Sequence, residues 1–399
     1  TCDLFVPNEA RYQAALHPVF KVSAKVQFIL ISFFIIRFFL YFCILIINSN
    51  FSMSESLIYI NEKAEHYLLD EFLKQKSIFV LCDTNTKKYC LGFLKRRLPI
   101  INDNHILCVP DGEKSKDIAF VVQLWEALLN GHADRNSLLI NLGGGVICDL
   151  GGFVASTFKR GISFLHIPTS LTAQVDAAIG GKTAININGM KNQVGTFQQA
   201  SAVLIFNELL RTLPEKQLYA GYAEMLKHAL IADKIFWEQL KEIKKIKSII
   251  NQVALIEKSV QIKTTIVEKD FYELNERRLL NFGHTMGHIL ESFLLQINTP
   301  VLHGEAVAWG MLAEAYLSML KGYISINELN EIQNVIKSNY RYLHIQYLIK
   351  EKWMPLLVAD KKRVGDELNF TLLEGIGKAI INQQCNTDEI QRAIDCISE

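Results

Sequence analysis

A strand that runs directly into three glycines constrains this chain more than any other feature. Residues 137–141 read Ser-Leu-Leu-Ile-Asn, and Leu142-Gly143-Gly144-Gly145-Val146-Ile147-Cys148-Asp149 follows at once. Strand, glycine turn and helix in that order set backbone N–H groups and a positive helix end at the carboxyl edge of a sheet, which favours a phosphate. The run falls short of G-x-G-x-x-G, because Cys148 stands where the third glycine would be. Apolar runs at 77–83, 106–109, 163–167 and 203–206 read as further strands, with helical stretches at 86–98 and 115–130. Such alternation builds a parallel sheet with helices on both faces.

After Leu213-Pro214 the pattern changes to long helices, at 215–231, 234–269, 279–295, 304–320 and 326–339. The expected organisation is an α/β domain with a Rossmann-like parallel sheet over 53–212, followed by an all-α domain over 213–399. Residues 26–47 form an apolar run of bilayer length, broken mainly by Gln27, Ser32 and Arg37. The first Met is Met53 and enzyme-like patterning starts just after it, so 1–52 reads as extraneous or upstream sequence rather than a membrane anchor. Deleting 1–52 is expected to leave a fully active protein, checked by assaying the truncated chain. With 42 basic and 41 acidic residues the net charge is +1, which gives no global attraction to nucleic acid or an anionic membrane. The eight cysteines are scattered singly, which fits a reducing compartment and a cytoplasmic location.

Three constellations carry chemistry. Asp111-Gly112-Glu113-Lys114 follows the strand at 106–109, where a carboxylate can hold ribose hydroxyls. With the glycine turn it makes the crevice of an open α/β sheet a dinucleotide site. Asp176, Lys182, Asn186, Asn188, Lys191 and Asn192 are interleaved with Gly180, Gly181 and Gly189 and followed by Gly195. Two lysines with amides on a close-approaching backbone suit a small polyanion. Glu224, His284, His288 and His303 form the third group, and two histidines with a carboxylate and an open position suit catalytic Zn²⁺ or Fe²⁺. His284 and His288 share a helix face. Their spacing leaves open which of them ligates.

Taken with Arg160-Gly161, Pro168-Thr169-Ser170, Gln174-Val175-Asp176, Gly180-Gly181-Lys182-Thr183, Lys191-Asn192, Ala223-Glu224-Met225-Leu226-Lys227, the run from Arg277 to Thr285, His303-Gly304-Glu305 and Asp360-Lys361-Lys362, these stretches resemble the 3-dehydroquinate synthase family from about Leu57 to Lys378. Ser170 departs from the family pattern, which usually has a second Thr there, and Cys148 replaces a common Gly. The resemblance implies that Asp83, Asp111, Gly112, Glu113, Lys114, Ser115, Lys116, Gly145, Val146, Ile147, Cys148, Asp149, Thr169, Ser170, Leu209, Leu210, Arg211 and Thr212 bind NAD, with Lys182 and Lys191 near it. It implies that Glu224, His284 and His303 hold a divalent metal, Zn²⁺ or Co²⁺.

The substrate would meet Asp176, Lys182, Lys191, Asn192, Lys227, Lys263, Glu273, Arg277, Asn281, His288 and a lysine of the pair Lys361 and Lys362. Arg160 would come across a homodimer interface. Lys182, Lys227, Lys263, Arg277, Asn281 and His288 form the implied catalytic set. The implied activity is conversion of a seven-carbon 2-keto-3-deoxy sugar acid phosphate into 3-dehydroquinate and phosphate, a lyase step of the shikimate pathway to aromatic amino acids. A related sugar-phosphate cyclase, a metal-dependent polyol dehydrogenase and a membrane-tethered non-catalytic binding protein are the competing expectations.

Overall fold

The computed structural model describes residues 57–74, 77–99, 101–187, 190–345, 347–359, 363–364 and 367–398. Residues 1–52 with their apolar run, Asn188, Gly189, Asp360, Lys361 and Lys362 lie outside them. Among the described residues no helix is long and apolar enough to cross a membrane.

The described residues of the first half contain eight strands: β1 (Leu57–Ile60), β2 (Ile78–Asp83), β3 (Ile106–Val109), β4 (Leu138–Gly143), β5 (Ser163–Pro168), β6 (Lys182–Ile187), β7 (Met190–Phe197) and β8 (Ala202–Ile205). Six of them form a parallel sheet in the order β1-β8-β5-β4-β2-β3. Side chains alternate across a strand. Ile78, Val80 and Cys82 therefore pack into one layer, and Phe79 and Leu81 into the other. Both faces are covered, which is why β2 and β4 are almost wholly apolar, with the buried Asn141 the polar break in β4. The chain leaves β2 for β3 on one side and returns as β4 on the other, so a crevice opens between the carboxyl ends of β2 and β4.

Helix α1 (Gly145–Thr157) starts in that crevice, with Gly144 as its N-cap. It lies close on both the sheet and the β6–β7 strands because Gly151 and Gly152 face them: a Cβ on Gly151 would sit 1.9 Å from Asn141 Oδ1 on β4, and one on Gly152 2.6 Å from Thr183 Cγ2 on β6. These glycines meet the close-packing need one turn later than the expected position, which leaves Cys148 room as a buried side chain.

Strands β6 and β7 form an antiparallel hairpin, where the composition suggested only a Gly, Asn and Lys-rich polyanion segment. The second half is mostly helical, with α2 (Glu215–Ala232), α3 (Val253–Lys269), α4 (His284–Gln296) and α5 (His303–Leu320) around the site. The helical pattern expected over 234–269 is broken by a 3₁₀ turn at Ile246–Asn251. The one expected over 279–295 begins as a separate 3₁₀ turn, Glu276–Asn281. Gly283 divides it from α4 with φ 79°, and a Cβ there would lie 2.4 Å from Met311 Cγ. Only glycine serves at such a corner. The described residues of this half also include three antiparallel strands, β9 (Arg363–Val364), β10 (Glu367–Gly375) and β11 (Lys378–Gln384), with β10 packed on α5 through Phe370, Leu372 and Leu373. Sequence patterning took this end as helical throughout. The described residues from 57 onward belong to one compact unit.

Candidate active site

The expected cofactor residues collect at the carboxyl ends of the parallel strands. Asp83 ends β2 and caps the short helix Thr84–Tyr89, its carboxylate accepting from the Thr86 N–H. Asp111 accepts a 2.7 Å hydrogen bond from Thr84 Oγ1, tying the loop after β3 to β2. Gly112 has φ 88° and allows the turn into Glu113–Ser115. Lys116 is buried, donates to Asp149 Oδ2 at 2.6 Å and also reaches Asn192 Oδ1, so it joins α1 to the β6–β7 hairpin. Thr169 and Ser170 follow β5 beside the glycine turn, with Thr169 N–H donating to the Gly143 carbonyl. Leu209, Leu210, Arg211 and Thr212 lie on the 3₁₀ turn after β8.

Next to this crevice is a cleft of about 520 Å³. The hairpin contributes Lys182, Thr183, Asn192 and Phe197, while α2 adds Lys227 and α3 adds Lys263. Glu273, Arg277, Asn281, His284, His288 and His303 complete it, with Asp149 and Asp176 on the sheet side. Asp176 lies on a single π turn, Ala173–Ala177, at the centre of the charge network. Its Oδ1 is 2.6 Å from Lys263 Nζ and 3.7 Å from both Lys227 Nζ and His228 Nε2. Burial works against its charge, but the Lys227 and Lys263 ammoniums outweigh it and hold Asp176 well below the usual carboxylate range. Burial pulls Lys263 down to about 8, against the attraction of Asp176. Lys227 stays above its ordinary value despite burial, because Asp176 and Glu224 both face it.

Arg277 is buried and donates through Nη1 to the Phe271 carbonyl. Glu273 pairs with Lys182 and accepts from Asn281 Nδ2 at 2.8 Å. Gly180, at φ 101°, lies so close that a Cβ would fall 2.5 Å from Arg277 Nη2. Gly180→Ala is therefore expected to displace the guanidinium and raise KM for an anionic substrate at least about tenfold, since a site built on charge-assisted hydrogen bonds loses affinity when its donor moves. Steady-state kinetics beside an unchanged NAD titration would check it.

Beneath the cations Glu224, His284 and His303 offer ligand atoms all within 4.8 Å of one another. Glu224 is 1% exposed, and its two oxygens accept no hydrogen bond of good geometry. Lys227 Nζ approaches Oε2 at 2.6 Å as an ion pair. His284 Nδ1 lies 3.2 Å from the Phe282 carbonyl, turning Nε2 toward Glu224 Oε1 at 3.9 Å. His303 Nδ1 lies 3.1 Å from Glu291 Oε2. An under-satisfied buried carboxylate facing two histidines whose Nδ1 atoms are engaged elsewhere fits a divalent cation bound through Glu224, His284 and His303. The His288 ring is 5.7 and 5.6 Å from those of His284 and His303 and lines the cleft beside them.

Two of the described residues expected around the substrate, Arg160 and Lys191, do not line the cleft. Arg160 is exposed with φ 70° on the 3₁₀ turn Phe158–Arg160 that follows α1, and Lys191 points its ammonium to Glu291 at 2.8 Å. Sequence reading missed Glu291 and Glu314. Glu291 is drawn down to about 2, since His303 and Lys191 outweigh the effect of burial. Its signal was the spacing of His284, His288 and Glu291, one face of a helix. Glu314 is fully buried and accepts from the N–H groups of Gly283 and Met286, holding the start of α4 in place. Its signal was an acid in the middle of an otherwise apolar stretch, residues 306–317.

A cationic cleft over a Glu-His-His triad, set against the switch point of a parallel sheet, defines an enzyme class acting on a small anionic substrate. The particular family follows from comparison. The family models for the 3-dehydroquinate synthase N-terminal and C-terminal parts match residues 106–220 and 221–363. The 3-dehydroquinate synthase of Parabacteroides distasonis is 41% identical over 352 residues, covering 87% of this chain and 99% of that one. The 2-epi-5-epi-valiolone synthase of Streptomyces hygroscopicus subsp. jinggangensis, solved with NAD⁺ and Zn²⁺ bound, superposes with a TM-score of 0.76 at 24% identity, covering 88% and 98% of the two chains. A 2-deoxy-scyllo-inosose synthase, complexed with carbaglucose-6-phosphate, NAD⁺ and Co²⁺, gives 0.73 at 22%, covering 84% and 95%. At those identities the structural likeness is one of fold. The chain belongs to the 3-dehydroquinate synthase family.

Proposed function

We propose that this chain converts 3-deoxy-D-arabino-heptulosonate 7-phosphate to 3-dehydroquinate and phosphate, in the cytoplasm, as a step of the shikimate pathway. The observation that carries the reading is the ring of Lys182, Lys227, Lys263 and Arg277 around the Glu224, His284 and His303 triad. A polyol dehydrogenase acting on a neutral alcohol has no use for those cations. We further propose a division into an NAD-binding part, 53–212, and a metal- and substrate-binding part, 213–399, in a homodimer that brings Arg160 to the partner's cleft.

NAD held in the crevice would supply a reversible oxidation of the substrate, and Zn²⁺ or Co²⁺ held by Glu224, His284 and His303 would supply Lewis acidity toward a substrate oxygen. The chain binds and orients. Arg277 offers the substrate carboxylate two parallel N–H donors, with Lys182 beside it. Lys227, Asn281 and His288 donate to the phosphate, with Arg160. Lys263 and Asp176 anchor the ring hydroxyls between them, and Lys116 and Asp149 fix the hairpin over the nucleotide crevice. Glu273 holds Lys182 and Asn281 in place until an anion arrives. The leaving phosphate takes up the proton itself, so a separate side-chain base is not required. The deciding assay is phosphate release from the seven-carbon substrate with no net NADH. Steady NADH formation from glycerol-like alcohols, without phosphate release, would instead mark a dehydrogenase.

The lowered Lys263 gives this reading a pH dependence. Below about 8 its ammonium is charged and attracts the substrate; above that value the charge is lost. kcat/KM is therefore expected to fall on an alkaline limb centred near that value. In Lys263→Arg, whose guanidinium does not titrate in this range, the limb moves to higher pH. A limb that stays in place in Lys263→Arg would show that Lys263 is not the group.

A further inference from the structure

The two histidines of the triad are held in different ways. His284 has a backbone acceptor, the Phe282 carbonyl, which comes with the corner at Gly283. His303 is the first residue of α5, its side chain is 40% exposed, and among the described residues its ring has one hydrogen-bond partner, Glu291. An imidazole rotates broadly about its χ2 bond unless something pins it. Glu291 stands on α4, on the same face as His284 and His288, and is itself fixed from the far side by Lys191 Nζ, 2.8 Å from its Oε1. One oxygen is thus tied to the β6–β7 hairpin and the other to His303.

We infer that Glu291 is a positioning residue, which accepts the Nδ1 proton of His303 and thereby fixes both the ring and the tautomer that directs Nε2 at the metal position. This rests on the reading of Glu224, His284 and His303 as ligands. A carboxylate behind a ligating histidine orients the ring and raises its basicity. Helix α4 then does two jobs: it supplies one ligand directly through His284 and aims the other, on α5, through Glu291. Lys191 gives the arrangement rigidity, because a carboxylate held on both oxygens has little freedom to swing away.

The test is the zinc dissociation constant of the purified full chain, measured by competition with a chromophoric chelator in the absence of substrate. Glu291→Met keeps length and bulk but removes the acceptor, whereas Glu291→Gln keeps an amide oxygen. Glu291→Met is expected to weaken zinc about 10- to 100-fold, with Glu291→Gln recovering most of the loss. The visible spectrum of the cobalt-loaded protein should change in Glu291→Met and not in Glu291→Gln, a signature that loose packing alone would not give. Where Glu291→Met does not fold, Glu291→Ala is measured in the same way. Wild-type zinc affinity in the Met or Ala variant, beside a wild type that binds one zinc and a Glu224→Ala variant that binds none, overturns the inference and leaves the triad standing. A wild type that binds no zinc, or a Glu224→Ala variant that keeps it, overturns the triad and the inference with it.

Discussion

Glu224→Ala, His284→Ala and His303→Ala are each expected to emerge from purification without metal and without activity, while still binding NAD. Each removes a ligand atom from a cluster spanning 4.8 Å, and two remaining ligands make a poor site. Loss of affinity should exceed the about 10- to 100-fold attributable to an outer partner. NAD binding should survive, because its crevice is formed by the ends of β2 and β4 and the start of α1, on other elements. His288→Ala is the control, expected to keep metal and to lose phosphate recognition instead. Metal analysis and an NAD titration on all four proteins check this. Stoichiometric metal in any of the first three, or its loss in His288→Ala, would reassign the ligand.

Arg277→Ala is expected to weaken substrate binding by about 2–5 kcal/mol, or roughly thirty- to several-thousand-fold, because a charged partner is lost in a desolvated site. Arg277 is 2% exposed and lines the cleft. Arg277→Lys should recover only part of the loss, since an ammonium cannot reproduce the planar fork. Arg278 is the control. It is only one residue away, yet its Nε donates to the Glu273 carbonyl and its Nη1 to Asn382 Oδ1 on β11, away from the cleft. Calorimetric titration with a non-reactive substrate analogue, NAD and metal saturating, separates the three. Damage from Arg278→Ala with silence from Arg277→Ala would contradict the placement of the carboxylate site.

Much of this fold was legible because its signals are local. The apolar run at 77–83 becomes β2, since a strand covered on both faces needs no polar alternation, and the run at 106–109 becomes the edge strand β3, which buries Leu107 and Val109 and exposes Cys108. The glycine turn opens α1 as expected. What failed depended on contacts made at a distance. The β6–β7 hairpin is rich in Gly, Asn and Lys because it covers a charged cleft, and that composition hides a strand. The β10–β11 hairpin at the carboxyl end escaped notice because polar residues and two register shifts interrupt the apolar residues it packs on the core. Gly283 ends one turn and starts another, a break that a continuous helical pattern conceals until the φ angle is seen.

The site divides along the same line. Glu224, His284, His288 and His303 could be grouped from sequence because the residue types are chemically matched, but spacing left open whether His284 or His288 ligates; the resemblance implied His284, and the structure sets the ligand atoms of Glu224, His284 and His303 together. Asp176 was legible as part of a polyanion segment, but its place between Lys227 and Lys263 depends on α2 and α3 converging on the single turn that carries it. Glu291 is an ordinary helical glutamate until α5 brings His303 against it.

The central claim is tested most directly by following phosphate release from 3-deoxy-D-arabino-heptulosonate 7-phosphate with the purified chain, with NAD present or removed and with chelator present or absent. The predicted result is stoichiometric phosphate and 3-dehydroquinate with both cofactors, no net NADH, and loss of turnover when either is withheld, restored by adding it back. Undiminished phosphate release without NAD, or in the presence of chelator by a protein shown to be metal-free, would contradict the account.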